Sequence, residues 1–252
     1  MIIGGNWKMY KTPSEAVQAA KALKVKLINV KNVEVVICPP FPDLAPVHEI
    51  IKETKIMLGA QNLYWQDEGA FTGEVSAGML KDAGCKYVII GHSERRHVFG
   101  EKDAEINKKV RKAIERELVP IFCVGEKIEE RRSGLTEKVV GEQLRVGLSE
   151  VKLASANDLV VAYEPVWAIG TGENATPQQA EEVHQFIRQR LREWYGDEIG
   201  NNVRIQYGGS VKPQNAEELM SQENIDGALV GGASLDPESF AAIIKSAEKV
   251  YH

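Results

Sequence analysis

The chain has 252 residues, 43% of them hydrophobic and 27% charged. That composition fits a soluble globular protein with enough apolar side chains for a large core. The net charge is −5, which leaves no basic footprint for nucleic acid. No apolar run reaches membrane-spanning length, and the start, Met1-Ile2-Ile3-Gly4, lacks the charged and long apolar regions of a signal peptide. A cytoplasmic protein with no membrane partner is expected.

Short apolar runs recur along the chain at 2–6, 33–38, 56–60, 87–91, 119–124, 159–164, 203–208 and 225–231. They are rich in Val and Ile and too short for helices, as buried parallel strands should be. Longer amphipathic stretches lie between them, such as 15–26, 104–116 and 177–194. Helix starts share one grammar. Thr12-Pro13-Ser14-Glu15 and Thr176-Pro177-Gln178-Gln179 each offer a capping hydroxyl, a proline at the first helical position and a capping-box partner, and Asp236-Pro237 opens the last helix similarly. No linker or composition shift marks a domain boundary. Eight β-then-α units predict an α/β fold: a single-domain (β/α)8 barrel over residues 1–252, eight parallel strands surrounded by helices. An open doubly wound sheet would call for G-x-G-x-x-G after the first strand, where Gly4-Gly5-Asn6-Trp7-Lys8 stands instead.

In a barrel, chemistry belongs at the carboxyl ends of the strands. The first strand ends in Asn6 and Lys8, which share parity; Lys8, between Trp7 and Met9, is an anion holder or half of an internal ion pair. The three cysteines, Cys38, Cys85 and Cys123, lie far apart in strand-like runs and read as buried thiols, with no disulfide frame or zinc site. The stretch 61–74 is long for a barrel loop and is expected to expose Tyr64, Trp65 and Phe71 to a partner surface. The fourth strand runs into Gly91-His92-Ser93-Glu94-Arg95-Arg96. His92 shares the parity of Val88 and Ile90, which predicts a buried or lumen-facing imidazole suited to acid/base or electrophilic work. Arg95 and Arg96 read as structural, and Glu94 as a supporting carboxylate near Lys8.

The sixth strand runs straight into Glu164. A carboxylate at the end of a buried strand is costly to desolvate, so its charge is paired or used. Behind it comes an apolar loop, Pro165-Val166-Trp167-Ala168-Ile169-Gly170-Thr171-Gly172, whose two glycines let the backbone bend; together they suggest a catalytic base beneath a moving lid. The seventh and eighth strands end in Gly208-Gly209-Ser210 and Gly231-Gly232, paired glycines whose N–H groups could converge on an anion with the Ser210 hydroxyl. A carboxylate base, a neutral imidazole, a cation and a phosphate cradle suit proton transfer beside the carbonyl of a small sugar phosphate. No metal-ligand cluster or nucleophile–base pairing stands out.

The segments Asn6-Trp7-Lys8-Met9, 91–96, 162–172, 207–210 and 230–234 resemble the triosephosphate isomerase family, and the likeness runs from the first strand to the last helix. The resemblance implies Glu164 as base, His92 as neutral electrophile, Lys8 as the cation near the substrate oxygens with Asn6 beside it, and Gly170, Ser210, Gly231 and Gly232 around the phosphate. It implies a cofactor-free, metal-free interconversion of glyceraldehyde 3-phosphate and dihydroxyacetone phosphate, in glycolysis and gluconeogenesis, with the lid shielding the enediolate from phosphate loss. It also implies a homodimer in which Thr72, Gly73 and Glu74 insert beside the partner's active site; a loop folded back on its own barrel is the rival reading. Glu173-Asn174 at the second lid hinge and Tyr10 after Lys-Met depart from the family pattern. Other sugar-phosphate barrels, and an inactive phosphate-binding barrel, are the alternatives.

Overall fold

A computed structural model describes residues 1–168 and 175–250. Eight strands, β1 (Ile2–Asn6), β2 (Glu34–Cys38), β3 (Ile56–Ala60), β4 (Cys85–Ile90), β5 (Val119–Val124), β6 (Val160–Tyr163), β7 (Arg204–Tyr207) and β8 (Gly227–Val230), close into a barrel in sequence order. Every pairing is parallel, and β8 returns to β1 with Ile2 opposite Gly227. Alternation along each strand divides the core in two. Ile2, Val36, Tyr87, Ile89, Ile121 and Leu229 fill the lumen among others, while Ile3, Val35, Ile37, Val88, Ile90 and Phe122 pack outward against the helices. Both faces are apolar, which is why the strands read as near-continuous hydrophobic runs.

The helix starts keep the expected chemistry. The Thr176 N–H donates to Gln179 Oε1 and the Gln179 N–H donates back to Thr176 Oγ1, both at 3.1 Å. Glu15 Oε2 accepts the Thr12 N–H at 2.8 Å, and Asp236 Oδ2 accepts the Ser239 N–H at 2.9 Å. The helix predicted over 177–194 continues to Gly200, with a break at Gly196, whose φ of +77° lies in the left-handed region. The three cysteines are buried free thiols. Among the described residues no helix is long and apolar enough to cross a membrane.

The loop after β3 departs from expectation. Tyr64 and Trp65 are half-buried against one another, with ring centroids 4.1 Å apart, and Phe71 stacks on Tyr64 at 4.7 Å. Only Phe71 stands exposed. The two ends of the loop are joined by the Tyr64 N–H on Val75 O at 2.8 Å, whereas Thr72, Gly73 and Glu74 at the tip are exposed.

Candidate active site

At the carboxyl ends of the strands lies a cavity of about 280 Å³, lined by Asn6, Lys8, His92, Glu164, Gly208–Lys212, Leu229 and Gly231–Ala233. Glu164 follows β6 with the parity of Val160 and Ala162, both lumen residues, so its side chain turns inward as the strand ends. It is 2% exposed. Its Oε2 accepts the Ser93 N–H at 2.9 Å and its Oε1 lies 2.9 Å from His92 Nε2. Burial works against a charged carboxylate here, but the His92 ring, the Ser93 N–H and the more distant Lys8 outweigh it and hold the Glu164 pKa below its ordinary value.

His92 reaches the cavity by a route that strand parity does not give. Val88 and Ile90, whose parity it shares, face the helices and not the lumen. Gly91 sits at φ +71°, a left-handed turn that redirects the chain before His92. The imidazole Nδ1 accepts the Glu94 N–H at 3.2 Å. That bond needs a lone pair on Nδ1, so the ring carries its proton on Nε2 and offers it toward Glu164. Burial disfavours an imidazolium at this position, yet the Glu164 carboxylate raises the His92 pKa above its usual value while the two remain in contact.

Lys8 stands just past β1 with φ +50°, a conformation that costs a non-glycine residue strain and is kept only where the surroundings impose it. Asn6 Oδ1 accepts the Lys8 N–H at 3.0 Å, and Gln61 Nε2 donates to the Lys8 carbonyl at 2.8 Å. These two side chains pin the residue, and its ammonium enters the cavity with Glu94 Oε1 2.5 Å away. Glu94 also lines a neighbouring hollow of about 200 Å³ with Met9, Phe41, Gln61, Arg95 and Phe99. Arg96 ties the Gly91 and Cys123 carbonyls together at 2.7 and 3.0 Å, and Arg95 pairs with Glu101 at 3.0 Å.

Ser210, Gly231 and Gly232 also line the cavity, and Gly231 lies beside Lys8, whose Nζ is 3.9 Å from where a Cβ on that glycine would stand. Of the lid, Val166–Ala168 form a short 3-10 turn and Pro165 accepts the Ala168 N–H at 2.8 Å. Ile169, Gly170, Thr171, Gly172 and the hinge pair Glu173-Asn174 lie outside the described residues. Thr72, Gly73 and Glu74 do not line this cavity.

Sequence reasoning passed over several residues. Glu126, fully buried two residues beyond β5, accepts the Tyr163 hydroxyl and Trp167 Nε1 at 3.1 Å, with Arg131 at 3.3 Å and Thr136 at 3.4 Å. It anchors the first lid residues to β6, and its signal resembles that of Glu164: a carboxylate just past an apolar strand. Ser93 and Gln61 had no signal, because each acts through hydrogen bonds set by tertiary folding: Ser93 to Glu164, and Gln61 to the Lys8 and Cys38 carbonyls.

Fold and site together define a parallel (β/α)8 barrel with a carboxylate, an imidazole and an ammonium group converging beside glycine-rich turns at the carboxyl ends of its strands. The family model described as "Triosephosphate isomerase" matches residues 1–247. The chain is 58% identical over 243 residues to a triosephosphate isomerase of Carboxydothermus hydrogenoformans, covering 96% of this chain and 97% of the relative. It is 57% identical over 243 residues to that of Moorella thermoacetica, with the same coverage. A crystal structure of the triosephosphate isomerase of Bartonella henselae superposes with a TM-score of 0.88 at 41% identity, covering 97% of this chain and 98% of that one. The chain belongs to the triosephosphate isomerase family.

Proposed function

We propose a division of labour for the reaction this chain catalyses, the isomerisation of D-glyceraldehyde 3-phosphate and dihydroxyacetone phosphate. Glu164 removes the proton from the carbon beside the carbonyl and returns it to the neighbouring carbon. The His92 Nε2–H gives its proton to the carbonyl oxygen and takes back the proton of the neighbouring hydroxyl, while Lys8 and Asn6 stabilise the oxyanion of the enediolate. Ser210, Gly231 and Gly232 hold the phosphate, with Gly170 closing on it from the lid. Glu164 gives its hydrogen bond with His92 to the substrate when it acts: the 2.9 Å contact occupies the proton that must reach the carbonyl oxygen. Losing that contact also removes the main influence raising the His92 pKa, so the ring stays neutral beside the substrate.

The observation that carries this reading is the meeting of Glu164 and His92 in a cavity that Lys8 also enters. A coupled assay from D-glyceraldehyde 3-phosphate tests it: turnover is expected, and none from a chain with native circular dichroism ends the isomerase reading.

We take residues 1–252 as one catalytic domain working as a homodimer in the cytoplasm. The dimer is supported by Met9 at 93% and Phe99 at 70% exposure around the hollow beside Glu94, and by the protruding tip Thr72-Gly73-Glu74, which suits such a recess. Free buried thiols fit a reducing compartment.

A further inference from the structure

Lys212 also lines the cavity, at its phosphate end beside Ser210 and Gly232. Its backbone is fixed. The Lys212 N–H donates to Asn215 Oδ1 at 2.8 Å, and Asn215 Nδ2 donates to the Ser210 carbonyl at 3.1 Å, so one asparagine closes the turn from Ser210 to Lys212. The side chain is exposed. Its ammonium has no carboxylate partner among the described residues, whereas Lys8 is committed to Glu94 at 2.5 Å.

The charges around the cavity make that difference matter. Lys8 and Glu94 cancel, so before Lys212 is counted Glu164 leaves one negative charge, on a chain whose own net charge is −5. A phosphate dianion approaching from solvent meets repulsion from both. Lys212 is the one free cation among the described residues of the cavity wall, and it stands at the end where the phosphate docks. We propose that Lys212 captures the substrate: its ammonium draws the phosphate into the cavity and raises kcat/KM without reaching the reacting carbons. Attraction of this kind acts on encounter and ground-state binding and weakens with salt.

The proposal rests on the phosphate end assigned above, and the test separates the two. Lys212→Gln is compared with Lys245→Gln, an equal charge change at an exposed position on the outer helix Pro237–Val250. At about 10 mM salt, kcat/KM of Lys212→Gln is expected to fall about three- to fivefold through KM, with kcat within about twofold of wild type. The gap should close toward about 0.5 M salt, where the screening length is a few ångströms. Lys245→Gln should track the wild type throughout. Inorganic phosphate, titrated by phosphorus NMR, should bind the Lys212 variant correspondingly more weakly, a measurement that needs no turnover. Equal KM, equal salt slope and equal phosphate affinity in the two variants would overturn the role of Lys212, whereas an inactive wild type would sink only the isomerase reading.

Discussion

Glu164 keeps its charge in a nearly dry position because each oxygen has a donor aimed at it, and the residues that aim those donors are themselves tightly fitted. Gly208 belongs to that fit: a Cβ added there would meet Glu164 Cγ at 2.8 Å. Gly208→Ala is therefore expected to displace the carboxylate by a fraction of an ångström. In a site whose chemistry depends on alignment, that lowers kcat by about tenfold or more. The fold should survive, since Gly208 has an ordinary backbone conformation among the described glycines. Unchanged kcat in a correctly folded variant would mean that Gly208 does not position the base. At this scale the sequence was legible where a side chain leaves a strand directly, as Glu164 does. At His92 it reached a buried imidazole on the cavity by the wrong route, since Val88 and Ile90 face the helices and Gly91 turns the chain. Lys212 carried no signal, because nothing local reveals which cavity a turn will face.

The elements carry a second constraint, in the way the helix Pro177–Gly200 lies against the outer face of β6 and β7. His184 on that helix is fully buried between the Tyr163 and Tyr207 rings, 5.8 and 6.4 Å between centroids, with Nδ1 3.1 Å from the Asn224 carbonyl. Burial lowers its pKa from 6.5 to about 3. Between those values the unfolded chain binds a proton that the folded chain refuses. The stability His184 contributes is complete above 6.5 and is lost as pH falls toward 3. By pH 4 the loss is on the order of 3 kcal/mol. Urea midpoints measured from pH 7 to pH 4 should therefore fall more steeply for wild type than for His184→Gln, and parallel curves would contradict a buried neutral ring. All eight strands were legible because parallel strands covered on both faces must be apolar throughout. Their ends were less so. Strand β6 stops at Tyr163, one residue short of Glu164, and β4 begins at Cys85, because register with neighbouring strands sets the limits and hydropathy does not.

Across the whole molecule, a closed barrel gathers residues from distant points of the chain at one end: Lys8 meets Glu94, 86 positions on, and Glu164 meets Ser93, 71 positions back. Closure in sequence order makes those meetings unavoidable once the strands are placed, which is why the site could be sought strand end by strand end. Met9 and Phe99 stand exposed around the hollow beside Glu94, and the proposed homodimer would cover them. Light scattering at micromolar concentration should give twice the mass of one chain, and a monomer would favour a loop serving its own barrel only. The most direct measurement is made on Glu164 itself. Glu164→Asp withdraws the carboxylate by one methylene while leaving Lys8, His92 and the phosphate end in place. If Glu164 abstracts the carbon-bound proton, kcat in the coupled assay falls by about a hundredfold while KM changes by no more than about twofold. A variant that retains wild-type kcat would contradict that role.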